Sequence, residues 1–385
     1  MAKINYRELK RQRELAGGQA VVAHITEGLE ENWFRPEDFS LRRLAESVIE
    51  GGPQYVSEYC RPDGSMSLTE ASAVDTATFS NITGQIVYSR ILEKYNDPAF
   101  LWPSLVQTVK TEFSGEKIPG IGRIGDEAED VSEGAQFPLV GVTQEYIETP
   151  ETIKRVFIVP ITKEAIFFDR TNLVLQRCSE VGYWAGVNKE KECVSLATGV
   201  TNSFKRNGTA YDTYPSTGGH GIDNYGTNAL ADWTDIEEAE MLFEGMTDWN
   251  TGEPIVLGPT RQLLVPGALR MTALRIVDAT GIVYSGATNA AHYRTEGPNP
   301  LGGFGIQVLS NPIVYAVTSQ TNDWWYGDFK KAFAYMENWS ISTEQSPPNS
   351  EAAFNRDIVV QHKVSWRGVP AVMDPHYVVF STGGS

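Results

Sequence analysis

IVPITKEAIFFDRTNLVLQRCSEVGYWAGVNKEKECVSLATG, residues 158–199, changes its hydrophobic period in mid-course, and that change decides the fold class. Its opening continues the strand-like run TIKRVFIVPIT (152–162). After Asp169-Arg170-Thr171, the residues Leu175, Cys178, Val181, Ala185, Cys193 and Leu196 share one helical stripe. Only Lys189 interrupts it, and Gly199 ends the run. A helix over 171–199 would span roughly 40 Å at the usual rise per residue. Cys178 and Cys193 then sit about 22 Å apart on one face, too far for a disulfide or a shared metal, so core packing is expected for both.

Upstream of this stretch, LWPSLVQTVKTEF (101–113) leads into a strand, and SGEKIPGIGRIGDEAEDVSEGAQFPLVGV (114–142) is glycine-rich and acidic, as long exposed loops are. QEYIET (144–149) and TIKRVFIVPIT flank it on the far side. The simplest geometry is a two-stranded ribbon over about 106–160 that projects from the body and is marginal when isolated. Nearer the N-terminus, FSLRRLAESVIE (39–50) predicts a short amphipathic helix stopped by Gly51-Gly52-Pro53. From Pro62-Asp63-Gly64 to about Asn81 the Ser, Thr and Ala content predicts an extended arm, before GQIVYSRILEKY (84–95) resumes an apolar rhythm.

Downstream, residues 201–232 form a polar, aromatic insertion expected to be a surface loop, with Asn207-Gly208 as a hairpin turn. Thr234-Asp235-Ile236-Glu237 is expected to open a helix through a capping box, and Pro266 stands near the start of another at GALRMTALRIV. The closing segments GDFKKAFAYMENWSIST and RDIVVQHKVSWRGVPAVMDPHYVVF are strand-rich and joined by SPPNSEAAFN. Together these elements give an α+β protein, and no fixed-period repeat makes it a solenoid or propeller.

Composition removes several functions. The chain has 385 residues and a net charge of -17, from 49 acidic and 32 basic residues. That field repels polyanions and argues against a dedicated nucleic-acid binder. Three cysteines fit a reducing compartment, and neither a secretory signal nor an apolar span of membrane length is present in this sequence. Gly120-Ile121-Gly122-Arg123-Ile124-Gly125 matches a dinucleotide fingerprint by letter, but the flanks are too polar before it and too acidic after it. His24, His220, His292, His362 and His376 have no zinc spacing, and Asp248 to Glu253 lacks a calcium loop's ligands. His362 alternates with Ile358, Val360, Val364 and Trp366 and reads as a packed histidine. No catalytic residue, cofactor or metal is expected. The glycosylation sequons at Asn81, Asn207 and Asn338 are chance matches.

The order of arm, ribbon, long helix, compact α/β domain and closing strands resembles the major capsid proteins of tailed bacteriophages with the Hong Kong 97-like fold. Residues 158–199 look like the ribbon's return strand feeding that family's spine helix, and RQLLVPGALRMTALRIV (261–277) is similar to its axial domain. WWYGDFKKAFAYMENWSISTEQSPPNSEAAFNRDIVVQHKVSWRGVPAVMDP (324–375) looks like the closing strands of its peripheral domain. The similarity runs over roughly 85–382.

The resemblance implies an N-terminal arm (1–84), retained and not removed as a propeptide, and a first peripheral part (85–232) with an extended loop (106–160) and a spine (171–199). An axial domain (233–325) and closing peripheral strands (326–385) complete it. It implies a non-enzymatic subunit of the virion, made in the bacterial host cytoplasm, that assembles with copies of itself into pentamers and hexamers around double-stranded DNA without reading its sequence. Scaffold, portal and decoration proteins are further possible partners, and a membrane is not. For inter-subunit contact, the acidic run Asp126, Glu127, Glu129, Asp130 and Glu133 is expected to meet basic residues of a neighbour, namely Lys154, Arg155, Lys330 or Lys331. An encapsulin-type nanocompartment shell is the close alternative, and a carbohydrate-binding protein or enzyme the distant one.

Overall fold

The structure, a computed structural model, describes residues 4–61, 70–119, 145–201, 204–216, 222–249, 252–285, 294–346 and 357–383. Helices dominate the first hundred residues: α1 (Tyr6–Ala16), α2 (Gly18–Glu30), α3 (Leu41–Val48), α4 (Gly52–Gln54), α5 (Glu70–Tyr95) and α6 (Trp102–Leu105). Four strands follow, β1 (Gln107–Lys110), β2 (Lys117–Pro119), β3 (Tyr146–Glu148) and β4 (Ile153–Thr162), then α7 (Lys163–Phe167) and α8 (Thr171–Ala197). Next come β5 (Lys205–Arg206), β6 (Thr209–Ala210), β7 (Tyr225–Gly226), α9 (Trp233–Glu244), β8 (Gln262–Leu264) and α10 (Arg270–Val277). After β9 (Gly281–Ser285), β10 (Arg294–Pro298), β11 (Gln307–Leu309) and α11 (Pro312–Thr318) the chain ends in β12 (Trp324–Gly327), α12 (Phe329–Ala332), β13 (Phe333–Gln345), β14 (Ile358–Val372) and β15 (Val378–Ser381). The α+β class is borne out, and the segments divide between two compact units.

The first unit comprises residues 1–97, 154–187 and 339–367. Its helices start where side chains satisfy free backbone donors. Asn5 caps α1 by accepting Arg7 N at 3.2 Å, and Ser40 caps α3 by accepting Arg43 N at 3.2 Å. Gly51, at φ 65°, ends the segment whose stop the glycines predicted.

One expectation fails here: Glu70–Asn81 is not extended but forms the first half of α5, which runs on to Tyr95. Its Ser, Thr and Ala content hid the start of a stripe in which Phe79, Ile82, Ile86, Val87, Ile91 and Tyr95 recur at helical spacing and are buried. The tertiary gain of that face outweighs weak local propensity. α5 approaches α8 closely enough that a Cβ on Gly182 would stand 3.0 Å from Ile91 Cα. In the sheet, β4 lies beside β14, and Phe157 meets Trp366 at 5.8 Å between ring centroids.

The second unit comprises residues 98–153, 188–338 and 368–385. Its five-stranded sheet has the order β11-β8-β12-β15-β7, with β12 antiparallel to both neighbours. All four residues of β12 are buried, because the sheet is covered on both faces. Trp325 belongs to one apolar cluster with Leu264, Phe329, Phe333 and Cys193, while Trp324 and Tyr326 belong to another with Ile236, Phe243, Ala273 and Ile276.

Three further expectations are corrected. The insertion 201–232 is not simply a surface loop: Phe204 and Asn224 are buried, and β7 pairs with β15. Asn224 Nδ2 donates to Thr213 O at 2.9 Å and Pro375 O at 3.2 Å, so polar groups do the anchoring that periodicity would have revealed. Its Asn207-Gly208 turn does join β5 to β6, with φ of 49° and 80°, as a two-residue hairpin requires. The cap of α9 is Asp232, not Thr234, with Asp235 Oδ2 accepting Asp232 N at 2.8 Å to complete the box. Finally, β2 and β3 pair antiparallel at the base of the expected ribbon, but β4 does not return along β1 or β2; it joins β14, where Val159 and Ile161 become buried.

Candidate functional site

β4 alternates between two environments. Phe157, Val159 and Ile161 turn to the core side, while Lys154, Val156 and Ile158 form the other face, with Val156 43% and Ile158 58% exposed. β4 is the last strand of the order β1-β13-β14-β4, so its outer edge has no neighbour among the described residues. Lys154 stands 5.7 Å from the ring centre of Trp339, and Arg367 stands 5.8 Å from the same ring. Lys363 pairs with Glu344 nearby on β13 and β14. An end strand with the exposed branched side chains Val156 and Ile158 and aromatic-stacked cations beside it is suited to docking another chain, because that apolar area is left for a partner.

Of the expected contact residues, Lys154 is exposed and Arg155 half-buried with an interaction of its own, both in the first unit. Lys330 and Lys331 are exposed in the second unit, in the last turn of α12. Lys331 lies 3.3 Å from Asp328 and 5.1 Å from the ring centre of Tyr377. Asp126, Glu127, Glu129, Asp130 and Glu133 lie outside the described residues, as do the glycine motif at 120–125, His220, His292 and most of SPPNSEAAFN. What is described is the ribbon's root. Arg206 of β5 meets Glu145 at 2.6 Å and stacks 4.4 Å over Trp249, while Lys117 of β2 meets Glu148 at 3.4 Å and the Tyr146 ring at 4.2 Å.

Sequence reasoning missed a buried charge cluster in the second unit. Lys189, the residue that interrupts the apolar stripe of α8, is 2% exposed; it lies 3.9 Å from Glu337, 3.8 Å from the Trp102 ring centre and 4.1 Å from that of Tyr335. Burial holds its ammonium below the ordinary lysine range, with Cys193, Glu337 and Glu192 opposing. Glu190 is fully buried and accepts Leu101 N at 2.9 Å and Trp102 N at 2.7 Å, capping α6, while Asn311 Nδ2 donates to it at 3.3 Å. Desolvation raises its carboxyl despite those bonds. The signal was the lysine itself, since a cation on a core stripe must find partners.

These charges are bound up in packing, and chemistry elsewhere is as sparse. His24 packs edge-on to Phe34 at 5.8 Å, and His376 Nδ1 lies 2.6 Å from Asp374 Oδ1. His362 is fully buried, and burial pushes its ring down to about 4. Among the described residues no group of three or more His, Cys, Asp or Glu is placed to hold a metal, and no helix is long and apolar enough to cross a membrane.

A family model described as phage capsid protein matches residues 146–379, more than half of the chain. No curated protein matches it. Solved structures that are similar include the capsid of a native GTA particle, at 11% identity and a TM-score of 0.44 over 74% of this chain and 90% of that one. A Mycobacterium phage Bobi chain matches at 13% identity and 0.44, over 74% and 90%. A virus-like particle from Pyrococcus furiosus matches at 12% and 0.42, over 77% and 97%. At these values the family model, not the superpositions, carries the assignment.

Proposed function

The chain belongs to the phage capsid protein family and is a major capsid protein, a structural subunit and not an enzyme; from that premise we propose that it builds a Hong Kong 97-like icosahedral head from rings of five and six copies. The family match favours this over a nanocompartment shell. In this reading residues 1–84 are an N-terminal arm, 85–232 and 326–385 make the peripheral domain, and 233–325 the axial domain. The loop within 106–160 lies over a neighbour, and 171–199 is the spine. The head encloses double-stranded DNA without sequence recognition, after synthesis in the host cytoplasm, with scaffold, portal or decoration proteins as further partners.

The observation that supports the ring model most is the apolar outer face of β4, with Val156 and Ile158 exposed, a surface that a lone copy leaves to solvent. Contacts between unlike patches of identical chains repeat by rotation and close into rings. The acidic run Asp126 to Glu133 of one copy then meets Lys154, Arg155, Lys330 or Lys331 of the next, steering register more than adding affinity. Sedimentation and negative-stain microscopy of the expressed chain should show closed shells, and a stable monomer with sugar affinity or turnover would overturn the proposal. Changing Asp126, Glu127, Glu129 and Asp130 to Lys should lower shell yield; an unchanged yield removes the loop contact while leaving the capsid assignment standing.

A further inference from the structure

Two helix faces of the second unit are opposite in charge and lack partners. On α9 the inward side, Ile236, Ala239 and Phe243, is buried, which turns Glu237, Glu238, Met241 and Glu244 outward on one stripe of three- and four-residue steps. Met241 at the centre of that acidic stripe is 60% exposed. On α10 the burial of Ala273 and Ile276 turns out Arg270, Met271 and Arg275, with Met271 74% exposed and Asp278 exposed just past the helix end. Glu237, Glu238, Glu244, Arg270 and Arg275 make no ion pair or side-chain hydrogen bond among the described residues. The contrast on the same helix is Glu240, which is fully engaged by Arg261 at 2.6 and 2.9 Å and by Tyr326 at 2.8 Å.

We propose that the acidic α9 face of one copy docks on the basic α10 face of the next, with Met241 and Met271 in the middle of the contact. The inference rests on the capsid reading and names a partner surface within it. Two copies that each carry a charge of -17 repel in general, so a patch that brings them together must reverse the sign locally. Arg270 and Arg275 do that, and within the screening length of about 8 Å at physiological salt only the facing helix counts. Acidic and basic faces on different helices make the contact head-to-tail, the kind that repeats around a ring. A thioether pair at the centre is deformable, which lets one contact serve rings whose members meet at different angles.

The test uses the full chain. Glu237→Lys, Glu238→Lys and Glu244→Lys together, or Arg270→Glu and Arg275→Glu together, should each cut the yield of sedimenting shells at least tenfold, and combining both sets should restore it. Independently, shells of the Met241→Cys, Met271→Cys double variant, oxidised after assembly, should give a ladder from dimer to pentamer and hexamer on non-reducing gels; Cys60, Cys178 and Cys193 are buried and give no background. Unchanged yield in both charge variants, failure of the combined variant to recover, or shells without a ladder would each overturn the contact. A folded wild-type chain that forms no shells overturns the proposal that the chain closes into rings on its own, so the two failures are told apart.

Discussion

Lys189 and Glu337 show what a buried pair costs and what it specifies. An ammonium between two aromatic rings, 2% exposed, is tolerable only while its countercharge 3.9 Å away is present. Glu337→Ala or Lys189→Met alone should therefore each destabilise by about 3–5 kcal/mol, because each leaves one buried charge unpaired, whereas replacing both together should cost much less than the sum. Urea midpoints of the single and double variants decide this, and additive losses would contradict it. His362 carries a pH prediction. Its ring is neutral in the fold down to about 4, while in the unfolded chain it titrates near 6.5, so the unfolded state binds more protons between those values. The stability it contributes is complete above about pH 6.5 and is lost as pH falls toward about 4, amounting to ~3 kcal/mol. His362→Leu should flatten that part of the stability-versus-pH curve, and an unchanged slope would show that other groups set it.

At the scale of elements, the crossing of α5 and α8 is set by a missing side chain. A methyl group at Gly182 would press on the backbone of Ile91, which has no room to yield inside a packed helix. Gly182→Ala should cost about 1–3 kcal/mol in spite of the better helix propensity of alanine, and thermal unfolding measures it. A stabilising result would mean that the helices sit farther apart. The hairpin of β5 and β6 works in the opposite way, since Asn207 and Gly208 supply a left-handed backbone at low cost and place Arg206 where it clamps Glu145 and Trp249. That clamp joins a local turn to β3 and to the Trp249 side chain.

At the scale of the whole molecule, each compact unit is assembled from three separate chain segments, and α8, β13 and β14 contribute to both units. Residues 1–97 expressed alone keep α5 against α2 and α3 but lack β14 and the first part of α8, so α5 would lose the close approaches of Gly182 to Ile91 and of His362 to Gly84. The fragment should show little cooperative melting by circular dichroism, and a sharp transition would make it an independent domain. Sequence alone determined the elements whose pattern is local: the apolar stripe of α8, the Asn207-Gly208 turn, the stop at Gly51, the packed character of His362 and the α+β class. Tertiary structure decided that Glu70–Asn81 is helical, that β4 belongs beside β14, that the insertion carries buried anchors at Phe204 and Asn224, and that Lys189 is a core residue. The division has one cause. Periodicity and turn chemistry act between residues a few positions apart and are written in order along the chain, whereas a strand's neighbour or a buried charge's partner is selected by the burial and pairing gained across more than a hundred residues, which no local window contains.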